Sequence, residues 1–444
     1  MPIARGHPIC ESRWGAEYVA CIHCGCEKCG LAVEFVKLRF QPWFMQSDIH
    51  ITFSEDVGFQ NTFTVEVSTA PWTKYRFDIY KTPNHDFSLL PASSRKATRV
   101  DTSSPQSLGR AKVCLGECLQ NHKCSIRKPE DTVLPRRVLD LQASNPSRIS
   151  LYKTNDQKSI YACLSHRLGT SQPLRTVTTN KSRQCSGICE DELPRTFLDA
   201  IAVARYLDIR YVWIDSLCIV QDDSIDWKHE ASLLAQTYSG AIITMAATAS
   251  DGATSGLFRL NSGVVDRELS AVTGDSDHEG SFITGEELEK GRLHGFAGRP
   301  ELLTRGWPLQ KRLLSPRILH FNKEIVFECN RQLLCECPKV NQFELPPFLA
   351  PKNTCDESKL QVLNIPELYK QWRFILKQYS TMRLTFDSDV LPAISGLARN
   401  FHKYRGGNYA PGLWESQLLQ ELTWISTTTE SCTRRDPWVA PTFS

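Results

Sequence analysis

Residues 191–249 read DELPRTFLDAIAVARYLDIRYVWIDSLCIVQDDSIDWKHEASLLAQTYSGAIITMAATA and alternate between helical spacing and unbroken apolar runs. DELPRTFLDAIAVARYLDI reads as a helix, with acidic residues and Pro194 at its start and Phe197, Ile201, Ala204 and Leu207 on one face. RYVWIDSLCIV is nearly continuous apolar sequence, the pattern of a central parallel strand buried on both faces. QDDSIDWKHEASLLAQTYSGA returns to helical spacing, with Trp227, Ala231, Leu234 and Tyr238 inward and Asp222, Asp223 and Asp226 at the helix's positive end. AIITMAATA reads as the next buried strand, and RISLYK (148–153) and YACLSH (161–166) as two short strands before the first helix. Strand and helix alternating over short connections imply right-handed crossovers and an α/β fold with a parallel sheet and flanking helices.

The bulk of the chain sets limits. At 444 residues it exceeds one compact core. A net charge of +3 without a long Lys/Arg run argues against nucleic acid as a partner. MPIARGHPIC lacks the apolar core of a signal peptide, and no apolar run approaches the roughly 18 residues that suggest a membrane span. The expectation is a soluble, cytoplasmic protein with no membrane partner, whose 17 cysteines are mostly reduced thiols.

Four regions follow from composition: a Cys-rich segment at 1–35, a mixed region at 36–147, the α/β region at 148–330 and a helical region at 331–444. The mixed region holds the strand-like runs HITF, NTFTVEVS and YRFDIY, and then AKVCLGECLQNHKCS (111–125) leading to LPRRVLDL (134–141). Cys21, Cys24, Cys26 and Cys29 are too crowded for a standard zinc ribbon, and a mixed site drawing on Cys114, Cys118, His122 and Cys124 is conceivable. Free thiols are the simpler reading of both clusters, so no metal ligand is assigned.

Several ordered segments resemble the fungal heterokaryon-incompatibility (HET) family. YACLSHRLG is similar to its opening motif, a strand ending in LSY-x-WG, and 193–241 is similar to its central block. ATASDGATSGLFR (247–259) resembles the next segment, and TRGWPLQKRLLSPRILHF (304–321) resembles the RGW-x-LQE-x-LLSPR motif, with VFEC after it. The resemblance runs over about 114–444. The chain departs from the pattern at His166 and Leu168, where the family has Tyr and Trp, and at Lys311, where it has Glu. A polar insert, GTSQPLRTVTTNKSRQCSGICE, separates the first strand from the first helix, and the ending DPWVAPTFS implies an incomplete carboxy-terminal region.

The resemblance implies a protein of non-self recognition between filamentous fungi that triggers programmed cell death, a form of innate immunity. It also implies other incompatibility or NLR-type proteins as partners, with homo-oligomers among the assemblies. The family's distant similarity to TIR domains implies a TIR/flavodoxin-like core and makes NAD glycohydrolysis the candidate reaction. On that analogy Glu230 is the candidate catalytic carboxylate, stabilising an oxocarbenium-like ribose, and Ser165, Gly169, Asp215 and Gln221 are the candidate nucleotide-binding residues. Glu230 also reads as an ordinary acidic residue near a helix start, and Asp215 as a cap or an ion-pair partner of Arg305. The competing function is a non-catalytic module that signals by oligomerising or recruiting partners, or an inactive homologue. Cys163 and Cys218 read as core thiols, and Arg305, Trp307 and Gln310 as a packing block. Trp372, Trp414 and Trp424 read as the core of the helical region.

Overall fold

The structure, a computed structural model, describes residues 12–13, 49–55, 62–69, 73–81, 101–125, 128–142, 148–167, 169, 174–260, 282–284, 300–335, 351–410 and 412–422. It divides into two compact units: Met1–Val100 with Leu260–His294 and Glu336–Val340, and Asp101–Arg259 with Gly295–Cys335 and Asn341–Ser444. In the first, Ser12–Arg13, Ile49–Glu55, Thr62–Thr69, Thr73–Lys81 and Phe282–Thr284 form one antiparallel sheet in that order. The three strand-like runs are therefore strands. Cys21, Cys24, Cys26 and Cys29 lie outside the described residues.

The second unit holds a nine-stranded sheet. Its strands are β1 (Arg137–Asp140), β2 (Arg148–Lys153), β3 (Tyr161–Ser165), β4 (Ile188–Cys189), β5 (Tyr211–Trp213), β6 (Ile243–Ala246), β7 (Arg317–Phe321), β8 (Ile325–Cys329) and β9 (Leu333–Cys335), in the order β9-β8-β7-β6-β3-β5-β1-β2-β4. Four neighbours, β7, β6, β3 and β5, are parallel. Antiparallel strands extend this core at both edges.

Two sequence expectations change. RISLYK, now β2, is not part of the parallel set: it pairs antiparallel with β1, because the short connection between them permits a hairpin but not a crossover. The apolar run RYVWIDSLCIV is strand only over Tyr211–Trp213 and then turns into a short helix at Asp215–Cys218. An unbroken apolar run signals burial and does not distinguish strand from buried helix.

The helices α1 (Pro105–Asn121), α2 (Arg195–Tyr206), α3 (Asp215–Cys218), α4 (Ser224–Gly240), α5 (Gly306–Leu314), α6 (Ile365–Tyr379) and α7 (Pro392–Arg405) surround or extend the sheet. In α2 and its carboxyl cap, the stripe Phe197, Ile201, Ala204 and Leu207 is buried. α4 starts where the Asp223 carboxylate accepts from the Ile225 and Asp226 N–H groups, satisfying donors a helix start leaves free. It ends at Gly240, where a Cβ would stand 2.7 Å from Tyr161 Oη, so glycine lets the helix meet β3 closely. The polar insert supplies a short helix, Lys181–Ser186, and edge strand β4.

The helical carboxy-terminal region has its own core. Trp372 and Trp414 are fully buried with ring centroids 6.0 Å apart, joined by Phe401 and by Leu309 and Leu313 of α5. Trp414 stands on a two-residue strand, not a helix, and Trp424 lies outside the described residues. Arg305, Trp307 and Gln310 turn toward this region: Trp307 Nε1 donates to Asp389 and Gln310 Oε1 accepts from the Gly396 N–H. α5 thus packs between sheet and helices.

Trp213 is 1 % exposed, edge-on to Tyr238 at 5.6 Å. Trp213→Ala should destabilise this unit by about 3–5 kcal/mol, read as a lower urea midpoint with unchanged slope; a shift within error would show that β5 is not central to the core.

Candidate functional site

The chain leaves β3 toward β5 on one side and leaves β6 toward β7 on the other, so the strand order reverses between β3 and β6. Ligands in open parallel sheets sit outside the carboxyl ends of strands at such a point. Ser165 is there, in register with Ala246, its carbonyl accepting from the Ala247 N–H at 2.9 Å. Segment 247–259 then folds back onto α2: Thr196 N–H donates to Ala253 O at 2.9 Å, and Leu257 N–H donates to the Asp199 carboxylate at 2.8 Å. Gly169, at φ +74°, approaches the same segment so closely that a Cβ would lie 3.0 Å from Gly252 Cα. Ser165 is left 4 % exposed.

Asp215 opens α3 beside this point. Its carboxylate lies 2.8 Å from Lys311 Nζ and 3.7 Å from His166 Nδ1. Burial would raise the Asp215 pKa, but Lys311 and His166 hold it below the usual carboxylate value. The partner is Lys311 of α5, not Arg305, whose guanidinium instead donates to Thr385 at 2.5 Å. Arg305 stands six residues earlier at the start of α5, where its side chain meets the carboxy-terminal region. Gln221 spends its side-chain amide on the Asp215 and Ile219 carbonyls, at 3.1 and 3.0 Å, bracing the α3 turn. His166 packs edge-on to Phe197 at 5.0 Å, and neither ring nitrogen has a hydrogen-bond partner among the described residues. Desolvation lowers its pKa from 6.5 to about 4, so the ring is neutral.

Glu230 has a different set of partners. It is 2 % exposed on α4, with Oε1 3.3 Å from the Arg137 guanidinium. Arg137 also pairs with Asp226 and donates through Nε to the Cys218 carbonyl at 2.6 Å, while Asp226 accepts from the Val220 N–H at 2.9 Å. Burial raises the Glu230 pKa, opposed by Arg137 and reinforced by Asp226. The candidate residues therefore fall into two ion clusters, one around Asp215 and one around Arg137. Sequence reasoning missed Arg137. The available signal was a pair of arginines entering the apolar strand of LPRRVLDL.

Residues 161–311 match the family model described as Heterokaryon incompatibility protein (HET). This segment is a HET domain. No curated protein and no solved structure matches the chain. The matched segment opens on β3 and closes on Lys311, so Ser165, His166, Asp215, Glu230 and Lys311 all belong to the HET domain, whereas Arg137 precedes it.

Two of the HET domain's thiols, Cys163 and Cys218, are inert core groups in this geometry, whereas Cys185 is exposed. Cys163 and Cys218 are fully buried, and desolvation raises both pKa values, that of Cys218 to about 12. A cavity of about 360 Å³ lies elsewhere, between Leu134–Arg136, Lys153–Asp156, Tyr161 of β3 and the His229 and Thr237 side of α4. In the amino-terminal lead-in, Cys118, His122 and Cys124 converge with Cys329 of β8, their ligand atoms all within 4.8 Å of one another. Cys114, one turn earlier on α1, is not in the group, and Cys329 enters through tertiary folding.

Because His166 is neutral when folded and the unfolded ring takes up its proton near 6.5, its contribution to stability is present above pH 6.5 and declines as pH falls to about 4. His166→Phe should flatten the loss of unfolding free energy across that window by on the order of 2 kcal/mol, measured by urea titrations at several pH values. Parallel curves for both proteins would contradict the depressed pKa.

Proposed function

We propose that this HET-domain protein acts in non-self recognition between filamentous fungi, that its HET domain triggers death of the fused cell from the cytoplasm, and that it does so through assembly with itself or other incompatibility proteins rather than by a reaction of its own. The family match supports the incompatibility role. The observation that carries the non-catalytic reading is the Lys311–Asp215 ion pair. Where the family pattern has Glu, this chain places an ammonium 2.8 Å from the carboxylate at the carboxyl ends of the parallel strands. A pair of neighbouring carboxyl groups would have pushed one pKa up and left an acid and a base side by side; the ion pair holds Asp215 ionised and occupied. Glu230 is similarly engaged by Arg137, and a ribose would have to displace a buried guanidinium to reach it. Among the described residues no helix is long and apolar enough to cross a membrane.

The competing reading, NAD cleavage, draws on Asp215, whose side chain keeps 29 % exposure at the strand ends, and on the raised pKa of Glu230. Expression in a fungal host, scoring viability and cellular NAD together, separates the two. Under assembly, wild type, Asp215→Asn and Glu230→Gln all kill and NAD does not fall ahead of viability. Early NAD loss that disappears in Glu230→Gln or Asp215→Asn, with the variant folded and at wild-type abundance, would establish the glycohydrolase and end the assembly reading.

A further inference from the structure

We propose that Cys118, His122, Cys124 and Cys329 hold a structural zinc ion that fastens α1 to the β8 edge of the sheet. Three sulfurs and one imidazole nitrogen lie within 4.8 Å of one another, with Cys329 Sγ 3.5 Å from His122 Nδ1. Bonds of about 2.3 Å to sulfur and 2.0–2.1 Å to nitrogen in a tetrahedron require ligand atoms about 3.5–3.8 Å apart, which matches the observed sulfur–nitrogen separation. Cys118, Cys124 and Cys329 are 0 %, 4 % and 3 % exposed.

Local structure explains the convergence. Cys118 is in the last turn of α1, and His122 caps that helix with its N–H on the Cys118 carbonyl, so the i, i+4 spacing places both on one face. The carboxyl end of a helix also carries partial negative charge that favours a cation. Cys124 follows in extended chain, where Asn330 donates to its carbonyl at 3.2 Å. Cys329 ends β8 in a turn closed by its own N–H on the Gln332 carbonyl.

The surrounding donors distinguish this group from ordinary core cysteines. Arg317 Nε donates to Cys118 Sγ at 3.2 Å in a buried setting, and the Arg331 N–H donates to Cys329 Sγ at 3.4 Å. A buried guanidinium aimed at sulfur is matched to a thiolate, and metal-bound thiolates are oriented by such outer donors. Four protein ligands leave no open coordination position, so the site is structural and not catalytic. It closes a loop of 207 residues between His122 and Cys329, joining the lead-in to a strand that follows the matched domain. This inference is independent of how the HET domain signals.

Metal analysis of the full chain, purified without chelators, tests it. Because the Cys21–Cys29 run can contribute metal of its own, the reading is the difference between proteins. Wild type should exceed Cys329→Ser by one zinc per chain, and His122→Cys, which keeps four ligands, should retain the wild-type content. If Cys329→Ser does not fold, alkylation of wild type decides: Cys118, Cys124 and Cys329 should be protected until a strong zinc chelator is added under mildly destabilising urea. Equal zinc in wild type and Cys329→Ser, chelator-independent labelling, or a disulfide between any two of the three cysteines would overturn the proposal.

Discussion

The arrangement around the parallel core depends on one buried guanidinium. Arg137 is 4 % exposed, at the point where β1, α3 and α4 meet. It satisfies the Asp226 and Glu230 carboxylates and a carbonyl that the short helix α3 leaves free. Two carboxylates one helical turn apart would repel each other in an apolar interior; the arginine makes their burial tolerable and fixes the rotation of α4 against β1. Removing one member of such a group costs about 3–5 kcal/mol, because the remaining charges stay buried without compensation. Since α3 and α4 follow directly from β5, the same contact sets where Asp215 emerges from the sheet.

A second buried network does comparable work on the other side. Glu328 of β8 receives Arg312 of α5 at 2.8 Å and His320 of β7 at 3.0 Å, and His320 in turn meets Thr248, just beyond β6, at 3.1 Å. Burial alone would raise the Glu328 pKa, yet Arg312 and His320 hold it well below the usual carboxylate value. Lys352 adds a bond to the Arg312 carbonyl. α5 therefore presents Leu309 and Leu313 to the helical region while its cations reach Asp215 and Glu328 at the sheet. The substitution at Lys311 is consistent with this role, since an ammonium at that position has a carboxylate waiting for it.

The legible features were those carried by local periodicity. The apolar stripes of α2 and α4, the acidic start of α4 and the buried strands β3 and β6 follow from spacing that a chain of this sequence adopts wherever it sits. Boundaries inside uniformly apolar sequence were less legible: RYVWIDSLCIV carries no polar alternation to mark where Trp213 ends a strand and Asp215 begins a turn. The edges of the sheet were also hidden, because RISLYK has the same strand character whether it pairs parallel or antiparallel.

By itself the sequence determined the class of fold, the two long helices that flank Tyr211–Trp213 and the family resemblance of the segment 161–311, because those rest on residue spacing and on ordered motifs. It also placed Cys114, Cys118, His122 and Cys124 in one short segment, of which folding gathers all but Cys114. Tertiary structure alone decided which charges meet: Lys311 with Asp215, Arg137 with Glu230, Cys329 with the lead-in thiols. Side-chain partners far apart in sequence are selected by the sheet order and by the need to compensate every buried charge, and neither is written in any local window of residues.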